Sequence, residues 1–270
     1  MKNFTRILAA VLVAVMGLLC FAACTTETPA TAPATTTTPE AETPATSKPV
    51  LKMGTNAYFP PYEFYEGQKI VGIDAEIAQA IAEKLGMELQ IVDMSFDSIL
   101  SAVDTGTVDF GMAGMTITEK RLESVDFSNS YAKGVQSIIV KDGSEITSVD
   151  VLCAEGATYK VGVQLGTTGD IYASDEFGAD RVTQYPTGNE AVAALIKGDV
   201  DCVIIDNEPA KSYVKANEGI KTLDTSYADE DYAICVKKGN SELLEKINTA
   251  IYELTKEGRI DAIVSKYITE

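Results

Sequence analysis

The chain has 270 residues, and its 46% hydrophobic content suffices for a packed core in one or two domains. The formal net charge of −18 argues against nucleic acid as a partner, because phosphates need a basic face. There is no histidine and no C-x-x-C pair, which excludes Ser–His and Cys–His nucleophiles and any His-based zinc site.

The first element is an export signal. Lys2 and Arg6 form a positive n-region, and residues 7–19 are an apolar stretch too short for an ordinary membrane-spanning helix. Phe21-Ala22-Ala23-Cys24 then resembles a lipobox, with Phe21 where an aliphatic residue is usual. This reading makes 1–23 a signal peptide and Cys24 the lipidated residue. The alternative is an ordinary secretory signal with incidental cysteines. Residues 24–49 follow as a linker, built almost entirely from Thr, Pro, Ala and Glu. Such a segment buries too little apolar surface to offset its ordering entropy, so a disordered stalk is expected.

From Val50 onward strand and helix patterns alternate. Residues 51–55 read as a strand and 62–71 as a hairpin turning at Glu66-Gly67. An amphipathic helix carries Ile73, Ile77, Ile81 and Leu85 on one stripe and stops at Gly86. A strand at 88–92, a helix at 96–104 and strands at 108–112 and 135–141 come next. The second half reads as strand 160–163, helix 168–177, strand 182–184, helix 188–197, strand 202–205 and helix 209–217. A strand at 232–236 and helices at 241–257 and 259–267 close the chain. Alternation of this kind predicts parallel α/β units, and the length from Val50 suits two small sheets better than one. Cys202 and Cys235 read as small core residues within strands, whereas Cys153 has no evident place.

Candidate chemistry falls at the carboxyl ends of these strands, where open α/β sheets bind ligands. Gly114-Met115-Thr116-Ile117-Thr118-Glu119-Lys120-Arg121 follows the 108–112 strand. Thr118 suits a helix N-cap, and Glu119 suits a first turn, but the Arg121 cation opposes the helix macrodipole. Beside free amides and the Thr116 hydroxyl, its guanidinium makes a pocket for a small carboxylate. Taken alone, Arg121 reads first as a solvated charge in the run Glu119-Lys120-Arg121; the surrounding motifs shift the balance. Gly166-Thr167-Thr168-Gly169 is a glycine-flanked turn entering a helix and suits an anion or a simple cap. Asp206 ends an apolar run, where a carboxylate is costly unless paired; it reads as a cap for its own turn or as the partner of an ammonium ion. Aromatic residues come from 56–64, stiffened by Pro60-Pro61, and from Phe96. A cation for a carboxylate, an anion for an ammonium and aromatics for a side chain together describe an α-amino acid.

These words together resemble the extracellular solute-binding protein family 3, the polar amino-acid receptors of ABC importers. The matching pieces are GTNAYFPPYEF at 54–64, VGIDAEIAQAIAEKLG at 71–86, DFGMAGMTITEKRLESVDFS at 109–128, VGVQLGTTGD at 161–170 and DCVIIDNEP at 201–209. The resemblance implies an α/β, periplasmic-binding-protein-like type II fold, with two lobes joined by a two-strand hinge. Lobe 1 would be 50–131 plus 232–270, and lobe 2 would be 136–228, so that Cys202 and Cys235 fall in different lobes and do not pair. It further implies that Arg121, Thr116 and Thr168 hold the ligand carboxylate, and that Asp206 and the Gly114 carbonyl hold the ammonium. Phe59 and Phe96 would sandwich the side chain, with Asn56 and Gln164 setting selectivity. Binders of basic amino acids often carry an acid at the position of Asn56, which points to a neutral polar side chain ahead of arginine.

The function so implied is a membrane-tethered monomer that captures a polar L-amino acid and passes it to an ABC permease, without cofactor or metal. Its place would be the extracytoplasmic face of the cell membrane, held there by the lipid alone. Two other classes are open. One is a dehydratase-like enzyme with a Glu or Asp acid, although no paired carboxylate in a catalytic setting stands out. The other is a sensory domain working with a separate signalling partner, since no transmembrane helix follows the last helical pattern before Glu270.

Overall fold

The computed structural model describes residues 48–223 and 228–269. The expected signal segment 1–23, Cys24 and the linker through residue 47 lie outside the described residues. Strand β1 (Val50–Thr55) leads into a small antiparallel sheet of β2 (Tyr58–Phe59), β3 (Glu63–Glu66) and β4 (Lys69–Val71). Helix α1 (Ile73–Lys84) buries Ile73, Ile77 and Ile81, the predicted stripe at one-turn spacing. No side chain caps its start. Instead the Ile73 and Asp74 amides donate to the carbonyls of Pro61 and Tyr62 at 3.0 and 2.9 Å. Gly72 permits this approach: its φ is +125°, and a Cβ there would stand 2.2 Å from the Tyr62 carbonyl oxygen. The aromatic loop is thereby stitched to the head of α1.

Next come β5 (Glu88–Asp93), a 3-10 turn at Phe96–Ser98, α2 (Ile99–Thr105), β6 (Phe110–Gly111), α3 (Glu119–Leu122) and β7 (Val125–Phe127). After β8 (Ala132–Lys141) follow α4 (Val149–Cys153), β9 (Val161–Gln164), α5 (Thr168–Phe177), β10 (Val182–Tyr185) and α6 (Gly188–Lys197). Then come β11 (Cys202–Asp206), α7 (Asn207–Ala216), β12 (Ile220–Thr222), β13 (Ala228–Tyr232), β14 (Cys235–Lys237), α8 (Ser241–Lys256) and α9 (Arg259–Tyr267).

Among the described residues, one larger sheet has the order β5-β1-β6-β14-β7. The other has the order β10-β9-β11-β8-β12, with β13 also on β8. The βα units pair in parallel, as their alternation predicts. Strands β8, β12, β13 and β14 pair antiparallel, which the alternation does not predict. The chain leaves the first sheet along β8 and returns along β13, so these two run in opposite directions, in register from Ala132↔Tyr232 to Gln136↔Ala228.

That return corrects the single strand expected at 232–236. Tyr232 pairs in the second sheet and Cys235 in the first, and Ala233-Ile234 carries the chain between them. All five residues are buried, so hydrophobicity cannot register the change of partner. The strand expected at 108–112 shrinks to Phe110–Gly111, because the Val108 amide closes onto the Ala102 carbonyl after α2. The helix expected at 96–104 opens as a 3-10 turn. Elements β2, β7, β12 and α4, of two to five residues, are too short to show a period. Cys202 and Cys235 are free and fully buried in different sheets; Cys153 is free and exposed at the end of α4.

Candidate functional site

Loops at the carboxyl ends of β1, β6, β9 and β11 converge on one narrow cavity between the two larger sheets. It is lined by all nine residues that the sequence singles out for a ligand: Asn56, Phe59, Phe96, Gly114, Thr116, Arg121, Gln164, Thr168 and Asp206. Glu63, Ala113 and Thr167 complete the lining.

Arg121 is 5% exposed, not a solvated surface charge. Thr118 caps α3 by accepting the Arg121 amide at 3.2 Å, which points the side chain inward. Nη1 donates to the Thr116 carbonyl at 2.7 Å, Nη2 donates to the Gly166 carbonyl at 3.0 Å, and the guanidinium lies over the Phe96 ring, 5.4 Å from its centroid. Burial pulls its pKa down, while the charges of Glu230, Cys235 and Asp206 oppose that. Among the described residues no carboxylate forms an ion pair with it. A buried cation held by two carbonyls retains attraction for an anion.

The Gly166-Thr167-Thr168-Gly169 turn enters α5 as expected, but most of its donors are spent. The Gly166 amide donates to Asp170 Oδ2 at 2.9 Å, and the Thr167 hydroxyl donates to the Gln164 carbonyl at 2.8 Å. The Thr168 hydroxyl accepts from the Gln136 amide at 3.4 Å, which leaves its proton for the cavity. The Thr116 hydroxyl is directed elsewhere and donates to Glu230 at 3.1 Å.

Asp206 ends β11 at the N-cap position of α7, yet its side chain makes no capping bond. The carboxylate instead accepts from the Tyr232 hydroxyl. It is 5% exposed, and burial together with the charge of Glu230 pushes its pKa up to about 8. Such a group gains most from a cation brought against it.

Around Gly114, the amide donates to Asp74 Oδ2 at 2.8 Å, and the Phe59 ring packs where a Cβ would stand. The far end of the cavity is neutral. Asn56 Nδ2 donates to the Met94 carbonyl at 2.8 Å, and its Oδ1 accepts from Gln164 Nε2 at 2.9 Å.

Four polar residues of this neighbourhood escape the sequence reading. Glu63 and Asp74 are buried together, and burial drives Glu63 well above its ordinary value, with the Asp74 charge adding to it. Gln136 and Glu230 lie behind the cavity, joined at 3.0 Å. Only an acid flanked by strand-forming residues signals any of them in advance.

Comparison with known proteins identifies the family and the fold. The profile of the bacterial extracellular solute-binding proteins, family 3, matches residues 51–270. The arginine-binding extracellular protein ArtP of Bacillus subtilis (strain 168) is 34% identical over 231 residues, covering 82% of this chain and 87% of that protein. The ABC transporter glutamine-binding protein GlnH of the same organism is 34% identical over 205 residues, 75% of this chain and 74% of that one. Among solved structures, an ancestral arginine-binding protein bound to glutamine superposes with a TM-score of 0.78 at 42% identity, covering 83% of this chain and 99% of that one. Sequence profile, relatives and architecture agree: this chain belongs to the bacterial extracellular solute-binding proteins, family 3.

Proposed function

We propose that this protein captures a polar L-amino acid between two lobes, 50–131 plus 232–270 and 136–228, and delivers it to an ABC permease. The observation that carries the reading is that Arg121 and Asp206 line one cavity from different sheets' loops, each buried and, among the described residues, neither in an ion pair. Arg121 and the Thr168 hydroxyl hold the ligand carboxylate, with Thr116 beside them. Asp206 and the Gly114 carbonyl hold the ammonium. Phe59 and Phe96 flank the side chain, and the Asn56–Gln164 amide pair meets its end. A ligand gripped by both lobes favours their closed arrangement by its differential affinity. A micromolar Kd needs about −8 kcal/mol, which a guanidinium–carboxylate pair and a desolvated acid–ammonium contact supply in large part.

The neutral amides around the side-chain end support a neutral polar ligand such as glutamine, with arginine next. ArtP and GlnH are named for these two amino acids. The leader and lipobox support lipidation at Cys24 and a place on the extracytoplasmic face of the membrane, with the protein monomeric. Among the described residues no helix is long and apolar enough to cross a membrane. A thermal-shift screen against the twenty amino acids plus cystine tests the reading: a specific ligand raises the melting temperature by mass action. A flat response to every one of them rejects it.

A further inference from the structure

Glu230 is a buried acid behind the cavity to which the amino-acid reading gives no task. It stands on β13 opposite Gly134 of β8 and is 4% exposed. Its Oε2 accepts from the Thr116 hydroxyl at 3.1 Å and from Gln136 Nε2 at 3.0 Å. Gln136 lies opposite Asp206 in the β11–β8 ladder, so the residue that bonds Glu230 is also the cross-strand neighbour of Asp206. The Asp206 and Glu230 carboxyls are themselves within hydrogen-bond reach. Two acids at that range, shielded from water, repel when both are ionised; one proton between them turns the contact into a hydrogen bond.

We propose that Glu230 is a positioning residue of the ammonium site: it keeps one proton on the Asp206–Glu230 pair until a ligand ammonium takes that proton's place. The inference rests on the amino-acid reading above. On binding, the ammonium keeps its hydrogens, the shared proton passes to the buffer, and the pair becomes a dianion flanked by the ammonium and Arg121. The titratable groups facing the pair fit this exchange. Arg121 from α3 is the cation. Tyr232 on β13 donates to Asp206, Tyr172 on α5 bonds Glu230, and Tyr62 and Glu63 stand on the side of the aromatic loop. Burial, with the Glu230 charge beside it, raises the pKa of the Asp206 carboxyl and so favours keeping the proton while no cation is present.

The test is calorimetric titration of the full chain with L-arginine and with L-glutamine, in phosphate and in Tris, two buffers of different ionisation heat. The heats should differ by close to one proton released per ligand, and Kd should fall about tenfold from about pH 6 to about pH 7. In Glu230→Gln, whose amide preserves the shape, binding should persist with buffer-independent heat and a flat pH profile. A merely structural role would weaken that variant without changing its proton release. Buffer-independent binding by the wild type, or proton release retained in Glu230→Gln, overturns the inference and leaves the amino-acid reading standing. If neither amino acid binds at millimolar concentration, this inference and the choice of glutamine or arginine as ligand both fall. The wild-type comparison decides by itself should the variant fail to fold.

Discussion

Asp74 Oδ2, in the first turn of α1, accepts both the Gly114 amide and the Tyr131 hydroxyl, each at 2.8 Å. One buried carboxylate thus ties the head of α1 to the loop that follows β6 and to the residue just before β8. Burial raises its pKa; the two donors and the positive end of the helix oppose that rise without reversing it. Replacing Asp74 by Ala leaves an amide and a phenol without partners, each costing about 1–3 kcal/mol. We expect Asp74→Ala to lose about 2–4 kcal/mol of stability in urea titrations. Wild-type stability would show that the two donors find other acceptors.

Arg121 and Asp206 carry the proposed site, and removing one partner of a buried charge pair costs about 3–5 kcal/mol. Arg121→Ala and Asp206→Ala should each abolish amino-acid binding in calorimetry while cooperative melting persists. Arg121→Lys should also bind poorly, because an ammonium cannot serve two carbonyls and a carboxylate with one planar fork. Near wild-type affinity in either alanine variant would defeat the site assignment.

Stability without ligand should fall as pH rises from about 5 to about 8. Asp206 is raised from 3.8 to about 8 by burial and the Glu230 charge, and Glu63 and Asp74 are raised chiefly by burial. The folded chain therefore holds protons that the unfolded chain releases. This contribution is complete below the ordinary carboxylate range and is lost as pH climbs through the folded values. The opposing acids, Glu76, Glu83, Asp126, Asp231 and Glu242, are held low by surface partners and act only under more acid conditions. Each fully raised acid contributes a slope of about 1 kcal/mol per pH unit. Asp206→Asn should flatten the melting-temperature profile; an unchanged slope would place the retained proton on another group.

Much of this architecture is legible because its signals are local. The bounds of α5 and α6 follow from Thr167 and Thr187, each a cap accepting an amide three residues on. The cavity residues are legible because each sits at or just past the carboxyl end of a strand, or on the helical turn that follows. Glu230 is not, since Ala-Asp-Glu-Asp-Tyr reads as a polar loop until β8 lies beside it and covers alternate side chains. Asp74 and Glu63 escape for a related reason. An acid in a helix's first turn is ordinary, and so is a glutamate in a hairpin. Their burial comes from partners distant in sequence.

Lipidation is a separate question from binding. Metabolic labelling with palmitate should mark the wild type and be absent from Cys24→Ala. Equal labelling of both would reject Cys24 as the attachment point and leave the cavity argument untouched.

The two strands that pass between the sheets, β8 and β13, are bonded to each other without a break from Ala132↔Tyr232 to Gln136↔Ala228. A paired ribbon of this sort strongly resists slipping lengthwise, because slippage would break every rung at once, but it yields readily to torsion. Motion of one half against the other is therefore channelled into a swivel about the ribbon's own long axis. Tyr232, whose hydroxyl reaches Asp206, sits on its final rung, so any such swivel is felt directly at the acid.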